Sequence, residues 1–330
     1  MTRALILGCS GPALTPDEAA FFRDAAPWGF IVFRRNVESP DQLRRLTAAL
    51  RETVGRADAP VLIDQEGGRV QRMGPPHWPK YPAGRRYGGL DDGLAAARLG
   101  ARLMAHDLTD VGVNVDCAPV LDVPVAGSHD IIGDRAYADE PAEVAAFGRA
   151  VAEGLMAGGV LPVMKHVPGH GRAGVDSHLS LPVVTATRAE LEARDFAPFR
   201  ALADLPMAMT AHVVFTALDP SRPATTSPEV IASVIRGAIG FDGLLMSDDL
   251  SMQALSGTLR ERAAAALGAG CDVALHCNGA MAEMRGVAEA APELAGPALR
   301  RAEAALARLA APETLDVAEA RARLDAALAA

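Results

Sequence analysis

The sequence predicts an α/β fold, a closed (β/α)₈ TIM barrel built as a single domain over residues 1–330. Three observations carry that expectation. Eight short apolar runs recur along the chain without polar alternation, the pattern of parallel strands buried on both faces. Each run is followed by a polar loop and then an alanine-rich amphipathic stretch, so strand and helix alternate as βα units. The 330 residues exceed one ordinary domain, yet they suit one barrel of roughly 250 residues with modest insertions and a tail.

The first run, residues 4–8, leads to Thr15-Pro16-Asp17-Glu18. That segment sets an N-cap hydroxyl, a proline at the first helical position and a glutamate placed to bond back to the cap. The second run, 29–33, leads to the same pattern in Ser39-Pro40-Asp41-Gln42. The third is 60–63, the fourth 113–118 and the fifth 161–165, with Thr187 and Glu190 opening the helix after the fifth. The sixth, 207–211, is followed by a helix start at Ser227-Pro228; the seventh is 244–247 and the eighth 273–276. From about residue 280 the chain is rich in Ala, Arg, Glu and Leu at helical spacing, and 302–311 and 317–329 read as closing helices. The alternative arrangement of the same elements is an open doubly wound sheet. No Gly-x-Gly-x-x-Gly follows the first run, which weakens the dinucleotide-binding version of that fold.

Hydrophobic residues at 50% and charged residues at 22% exclude a disordered chain. A net charge of −9 and only 4% aromatics argue against nucleic acid or anionic membrane as a partner. No apolar run reaches the 18 or so residues a transmembrane helix needs. Residues 4–8 followed by Cys9 loosely resemble a lipoprotein cleavage box, but the run is shorter than the roughly 7–15 residues of a signal core, so a cytoplasmic location is expected. Cys9, Cys117, Cys271 and Cys277 show no Cys-x-x-Cys spacing, and three lie in or beside apolar runs. That is the habit of buried free thiols in a reducing compartment.

In a barrel the strand C-termini and the loops beyond them form the active face. The third run ends in Asp64-Gln65-Glu66-Gly67-Gly68-Arg69, with Arg72 just beyond. The fourth carries Asn114 and Asp116, with Asp122 further on; the fifth ends in Lys165-His166 and enters Val167-Pro168-Gly169-His170-Gly171. The sixth ends at His212, the seventh at Asp248-Asp249 and the eighth at His276. So many ionisable groups at one end imply a polar pocket, hence an enzyme or a binder of polar ligands.

The glycine-rich loop after the fifth run delivers Asp176-Ser177-His178. A carboxylate two residues from an imidazole can hold one ring nitrogen and leave the other for proton transfer near neutral pH. An exposed loop histidine without a role is the plainer reading of the pair alone. His166, His170 and His178 are close in sequence, but they lie on a Pro/Gly loop and no His-Glu-x-x-His pattern is present, so no metal and no cofactor is expected. Asp248 and Asp249 form the second strong site. A carboxylate at a strand end, facing a loop acid/base, is what a two-step glycosyl transfer requires. One of the two can instead cap the following helix while its neighbour reacts.

At this point five ordered motifs stand together: 63–70 (Ile-Asp-Gln-Glu-Gly-Gly-Arg-Val), 133–137 (Gly-Asp-Arg-Ala-Tyr), 165–171 (Lys-His-Val-Pro-Gly-His-Gly), 176–178 (Asp-Ser-His) and 247–252 (Ser-Asp-Asp-Leu-Ser-Met). In that order they closely resemble the family-3 glycoside hydrolases of the NagZ type, β-N-acetylglucosaminidases (β-hexosaminidases), in their single-domain Gram-negative form. The resemblance runs from about residue 4 to 280. It implies a β/α barrel and retention through a covalent glycosyl-enzyme. Carried over by motif, it makes Asp248 the nucleophile, His178 the acid/base and Asp176 its orienting partner, with Asp64, Arg72, Arg135, Lys165 and His166 holding the sugar hydroxyls. It further implies removal of terminal β-linked N-acetylglucosamine from GlcNAc–anhydro-N-acetylmuramic acid muropeptides in peptidoglycan recycling. A monomer is expected. Transfer to phosphate instead of water, another family-3 β-glycosidase activity, or sugar binding without turnover are the alternatives. The sequence departs from the family pattern in two places: Val167 stands where phenylalanine is usual, and Arg172-Ala173 replaces an acidic-polar pair.

Overall fold

The computed structural model describes residues 2–177 and 179–329. Eight parallel strands form one sheet: β1 (Arg3–Gly8), β2 (Pro27–Val32), β3 (Val61–Ile63), β4 (Val115–Asp116), β5 (Leu161–Val167), β6 (Met207–Thr210), β7 (Leu244–Met246) and β8 (Ala274–His276). From β1 to β7 each strand pairs with the next in sequence, and β8 pairs with β1. The remaining gap, between β7 and β8, is bridged at Met246 and Val273, which makes the sheet a barrel rather than an open doubly wound sheet. All eight predicted strands are present, with ends moved by up to two residues.

The apolar runs lack alternation because both strand faces are covered. Ile6, Ile31, Leu62, Val163 and Met246 belong to the cluster inside the barrel. Their neighbours Leu5, Leu7, Phe30, Val32, Val61 and Ile63 belong to the cluster under the helices. Successive side chains point to opposite faces, and here both faces are core.

The helices start where the sequence predicts. α1 (Pro16–Ala25) and α2 (Pro40–Val54) carry reciprocal capping boxes, Thr15 with Glu18 and Ser39 with Gln42. Thr187 and Glu190 do the same for the helical stretch after β5. Ser227 Oγ accepts the N–H of Val230 at 3.1 Å. The closing segments differ from expectation at one point. A helix runs Gly296–Leu306, earlier than 302–311, because Pro297 in its first turn sets the start. Its Ala302 and Ala305 join the interior cluster and close the barrel floor, below the N-terminal ends of the strands. The last helix, Val317–Ala329, lies against Gly93–Asp110, where Arg321 donates to Asp107 at 3.0 Å. With the floor sealed, the open end is the C-terminal one. Among the described residues no helix is long and apolar enough to cross a membrane.

Candidate active site

A cavity of about 260 Å³ opens at the C-terminal end of the barrel, lined from β2 through β8 by residues that include Phe33, Asp64, Lys165, His166, Met209 and Asp248. Three groups of polar side chains build it.

The first group is a chain of alternating charges. Lys165 projects from β5, 2% exposed, donates to Asp64 Oδ1 at 2.8 Å and forms an ion pair with Glu66 Oε1 at 2.6 Å. Arg72 donates to Asp64 Oδ2 at 2.9 Å, and its guanidinium lies 5.1 Å from the centre of the Phe33 ring. Arg135 grips Glu66 through two parallel bonds of 2.8 Å. Burial alone would raise both carboxyls. Lys165 and Arg72 outweigh it at Asp64, and Arg135 with Lys165 holds Glu66 at about 2. Charge-assisted pairs of this kind fix donors and acceptors in place before a ligand arrives.

The second group centres on Asp122, which is fully buried. Its Oδ2 lies 2.6 Å from His166 Nδ1, and its Oδ1 accepts the backbone N–H groups of His166 and His170 at 3.2 and 2.6 Å. A ring nitrogen held by a buried carboxylate is a donor, so His166 presents Nε2 on its other edge. Burial, reinforced by His166, pushes the His170 ring down to about 4, which leaves it neutral. Its Nε2 is 3.1 Å from Ser177 Oγ. Gly171 permits this close packing: a Cβ there would sit 2.0 Å from the carbonyl oxygen of Val123.

The third group separates Asp248 from Asp249. Asp249 is committed to the backbone: Oδ1 accepts from the N–H groups of Ser251 and Cys277, both at 3.1 Å, and Oδ2 from Ser251 Oγ at 2.5 Å. It ties a turn to the end of β8 and caps no helix, because the next one begins at Leu259 with Thr258 as its cap. Asp248 lines the cavity and accepts the N–H of Asp249 at 2.8 Å. Burial alone would raise its carboxyl, but the facing His212 and His166 outweigh that and keep it below its ordinary value. His212 is braced behind it, 2.7 Å from Thr225 Oγ1 on one side and donating to the Asp249 carbonyl at 3.0 Å on the other.

Of the residues singled out from sequence, Asp64, Arg72, Arg135, Lys165, His166 and Asp248 all line this cavity. Asp176 is half-buried on the loop after β5, and His178 lies outside the described residues. His276 faces away, while its neighbours Leu275 and Cys277 line the wall. Asn114 braces the strands by accepting the N–H of Val61 at 2.8 Å. Sequence reasoning assigned no role to Glu66, Asp122, His170 or Ser177. Glu66 was visible as a charge inside a motif, but Asp122 lies 44 residues from His166 and no local pattern joins them. Val167 is fully buried, and Arg172 donates to Asp195 at 2.8 Å, so both departures sit in the base of the loop. Among the described residues no group of three or more His, Cys, Asp or Glu is arranged to hold a metal ion.

A family model described as the glycosyl hydrolase family 3 N terminal domain matches residues 17–311. The chain belongs to that family. Family 3 proteins are glycoside hydrolases, so the chain is an enzyme that acts on a saccharide substrate. A beta-hexosaminidase of Methylococcus capsulatus is 44% identical over 274 residues, covering 81% of this chain and 80% of that protein. A beta-hexosaminidase of Pseudomonas aeruginosa is 37% identical over 281 residues, covering 84% and 83%. Among solved structures, NagZ from Neisseria gonorrhoeae superimposes with a TM-score of 0.84 at 32% identity, over 99% of this chain and 96% of that one. A family 3 beta-N-acetylglucosaminidase from Paenibacillus gives 0.88 at 30% identity, over 98% of this chain and 67% of that one.

Proposed function

We propose that this family 3 member is a retaining exo-β-N-acetylglucosaminidase. It releases terminal β-linked N-acetylglucosamine from GlcNAc–anhydro-N-acetylmuramic acid muropeptides in cytoplasmic peptidoglycan recycling, as a monomer whose 330 residues form one catalytic domain. The observation that carries the reading is Asp248, an ionised carboxylate at the end of β7 whose neighbour Asp249 takes the structural bonds. It faces donors and acceptors suited to sugar hydroxyls, and the relatives named beta-hexosaminidase and NagZ support the choice of sugar.

In the proposed reaction Asp64, Arg72, Arg135, Lys165 and His166 hold the terminal sugar. Asp248 attacks the anomeric carbon while His178, oriented by Asp176, protonates the leaving oxygen. In the second step His178 takes a proton from water, the water oxygen bonds to the anomeric carbon, and Asp248 leaves with its configuration restored. The roles of Asp176 and His178 rest on their place in the motif.

A 5-fluoro glycosyl inactivator of N-acetylglucosamine configuration should label the peptide that contains Asp248, and Asp248→Ala should lower turnover of an aryl β-N-acetylglucosaminide by at least roughly 10⁴-fold. A label on another peptide, or near-normal turnover by the variant, overturns the assignment. Product analysis with and without phosphate distinguishes hydrolysis from phosphorolysis.

A further inference from the structure

The loop after β5 is fixed at its base and along its return. At the base, Asp122 accepts the His170 N–H at 2.6 Å, Arg172 donates to Asp195 at 2.8 Å, and the carbonyl of Ala173 accepts from the N–H of His129 at 2.8 Å. On the return, Pro182 accepts from Val214 at 2.9 Å, and Val184 from Thr216 at 3.0 Å. The tip between them is exposed: Val175 is 40% and Leu179 70% accessible. Among the described residues 174–181, Ser177 is the buried one, at 3%. The N–H groups of Leu179 and Ser180 both donate to the Asp176 carbonyl at 3.0 Å, which closes a turn.

Within that turn Ser177 Oγ lies 3.1 Å from His170 Nε2. The backbone of His170 is tied to Asp122, and its ring packs edge-on to His166 with centroids 5.6 Å apart. Ser177 is the residue between Asp176 and His178 in the sequence.

We propose that the His170–Ser177 hydrogen bond is the latch that seats the proton-delivering turn over the sugar cavity, with His170 and Ser177 as positioning residues. The proposal rests on the reading of Asp176 and His178 as the acid/base pair. It makes Asp122 a shared anchor, since one carboxylate orients His166 toward the sugar and, through His170 and Ser177, the group that protonates the leaving oxygen. Because the His170 ring is neutral over the working pH range, the latch needs no proton of its own.

The consequence is selective. Losing the latch leaves Asp248 and the charged chain around Asp64 in place, and impairs only the protonation that poor leaving groups need. General acid assistance is worth 10²–10⁴-fold, so Ser177→Ala should lower kcat/KM by roughly 10–100-fold for a disaccharide or alkyl glycoside. The loss should be several-fold smaller for a dinitrophenyl glycoside, whose leaving group needs no proton. kcat/KM is the quantity to read because it reports glycosylation whichever step limits kcat.

The experiment measures kcat/KM across β-N-acetylglucosaminides of graded leaving-group acidity for wild type, Ser177→Ala, His170→Gln, the double variant and Ser177→Thr, after equal melting temperatures have been checked. Expected are a steeper dependence on leaving-group pKa in both single variants, a double variant no worse than the poorer single, and recovery in Ser177→Thr, which keeps the hydroxyl. Equal losses on every leaving group, no loss on any, or additive losses in the double variant overturn the latch. A wild type inactive on every β-N-acetylglucosaminide would instead sink the function it rests on.

Discussion

Lys165 remains charged at a depth where an isolated ammonium would lose its proton, because Asp64 and Glu66 stand 2.8 and 2.6 Å from it and hold its pKa above the ordinary value against the effect of burial. Glu66 serves two cations, so truncating it strands both Lys165 and Arg135. Glu66→Ala is expected to cost about 3–5 kcal/mol in urea unfolding, the range for a buried ion pair broken from one side. Glu289→Ala, which removes the 3.4 Å pair with Arg260 on the open surface, should change stability by about 0.5 kcal/mol or less. Equal effects in the two variants would show that the interior network carries no special weight. The same scale separates Asp248 from Asp249. As isolated letters they are interchangeable; what distinguishes them is that Asp249 bonds the turn at Ser251 and the N–H of Cys277.

Elements were the most legible part of the chain, because their signals are local. A cap hydroxyl, a proline and a glutamate or glutamine within four residues satisfy backbone N–H groups that the first turn cannot. Ser39 illustrates the size of the effect: its Oγ accepts the Gln42 N–H at 3.3 Å, while Gln42 Oε1 accepts from Glu38 and Ser39. Ser39→Ala should lower stability by about 1 kcal/mol, seen as a lower denaturant midpoint with an unchanged slope. Where a signal was read less well, a competing local device explains it. The expected cap at Asp248 or Asp249 lies about ten residues before the helix that follows, and Thr258 with Glu261 supplies that cap instead. The first closing helix begins at Gly296-Pro297, a start that the alanine-rich pattern around 302–311 obscured.

At the scale of the whole molecule, the buried carboxylates couple stability to acid. Glu66 falls from 4.5 to about 2 on folding and Asp122 from 3.8 to about 2. A depressed folded pKa contributes stability that is fully present above the unfolded value and lost as pH falls through the folded one. Burial moves Asp116 the other way, which offsets part of the effect. His170, pushed from 6.5 down to about 4, adds a loss that begins near pH 6.5, so the melting temperature should start to fall there and fall most steeply between about 4.5 and 2, with a shallower acid limb in Glu66→Gln. A Glu66→Gln profile parallel to wild type would separate this network from acid unfolding.

Hydrophobic period, caps and the motifs at the strand ends were sufficient to anticipate a closed barrel and to place the polar chemistry at one of its ends. These are properties of a few neighbouring residues and of the way a strand or helix repeats. Which charges meet is a different matter. Lys165 reaches Asp64 across 101 residues, Arg135 reaches Glu66 across 69, and Asp122 reaches both His166 and His170 from the preceding βα unit. Those partnerships exist only once eight strands have closed on one another, because closure brings distant strand ends within hydrogen-bond reach and removes the water that would otherwise solvate each charge separately.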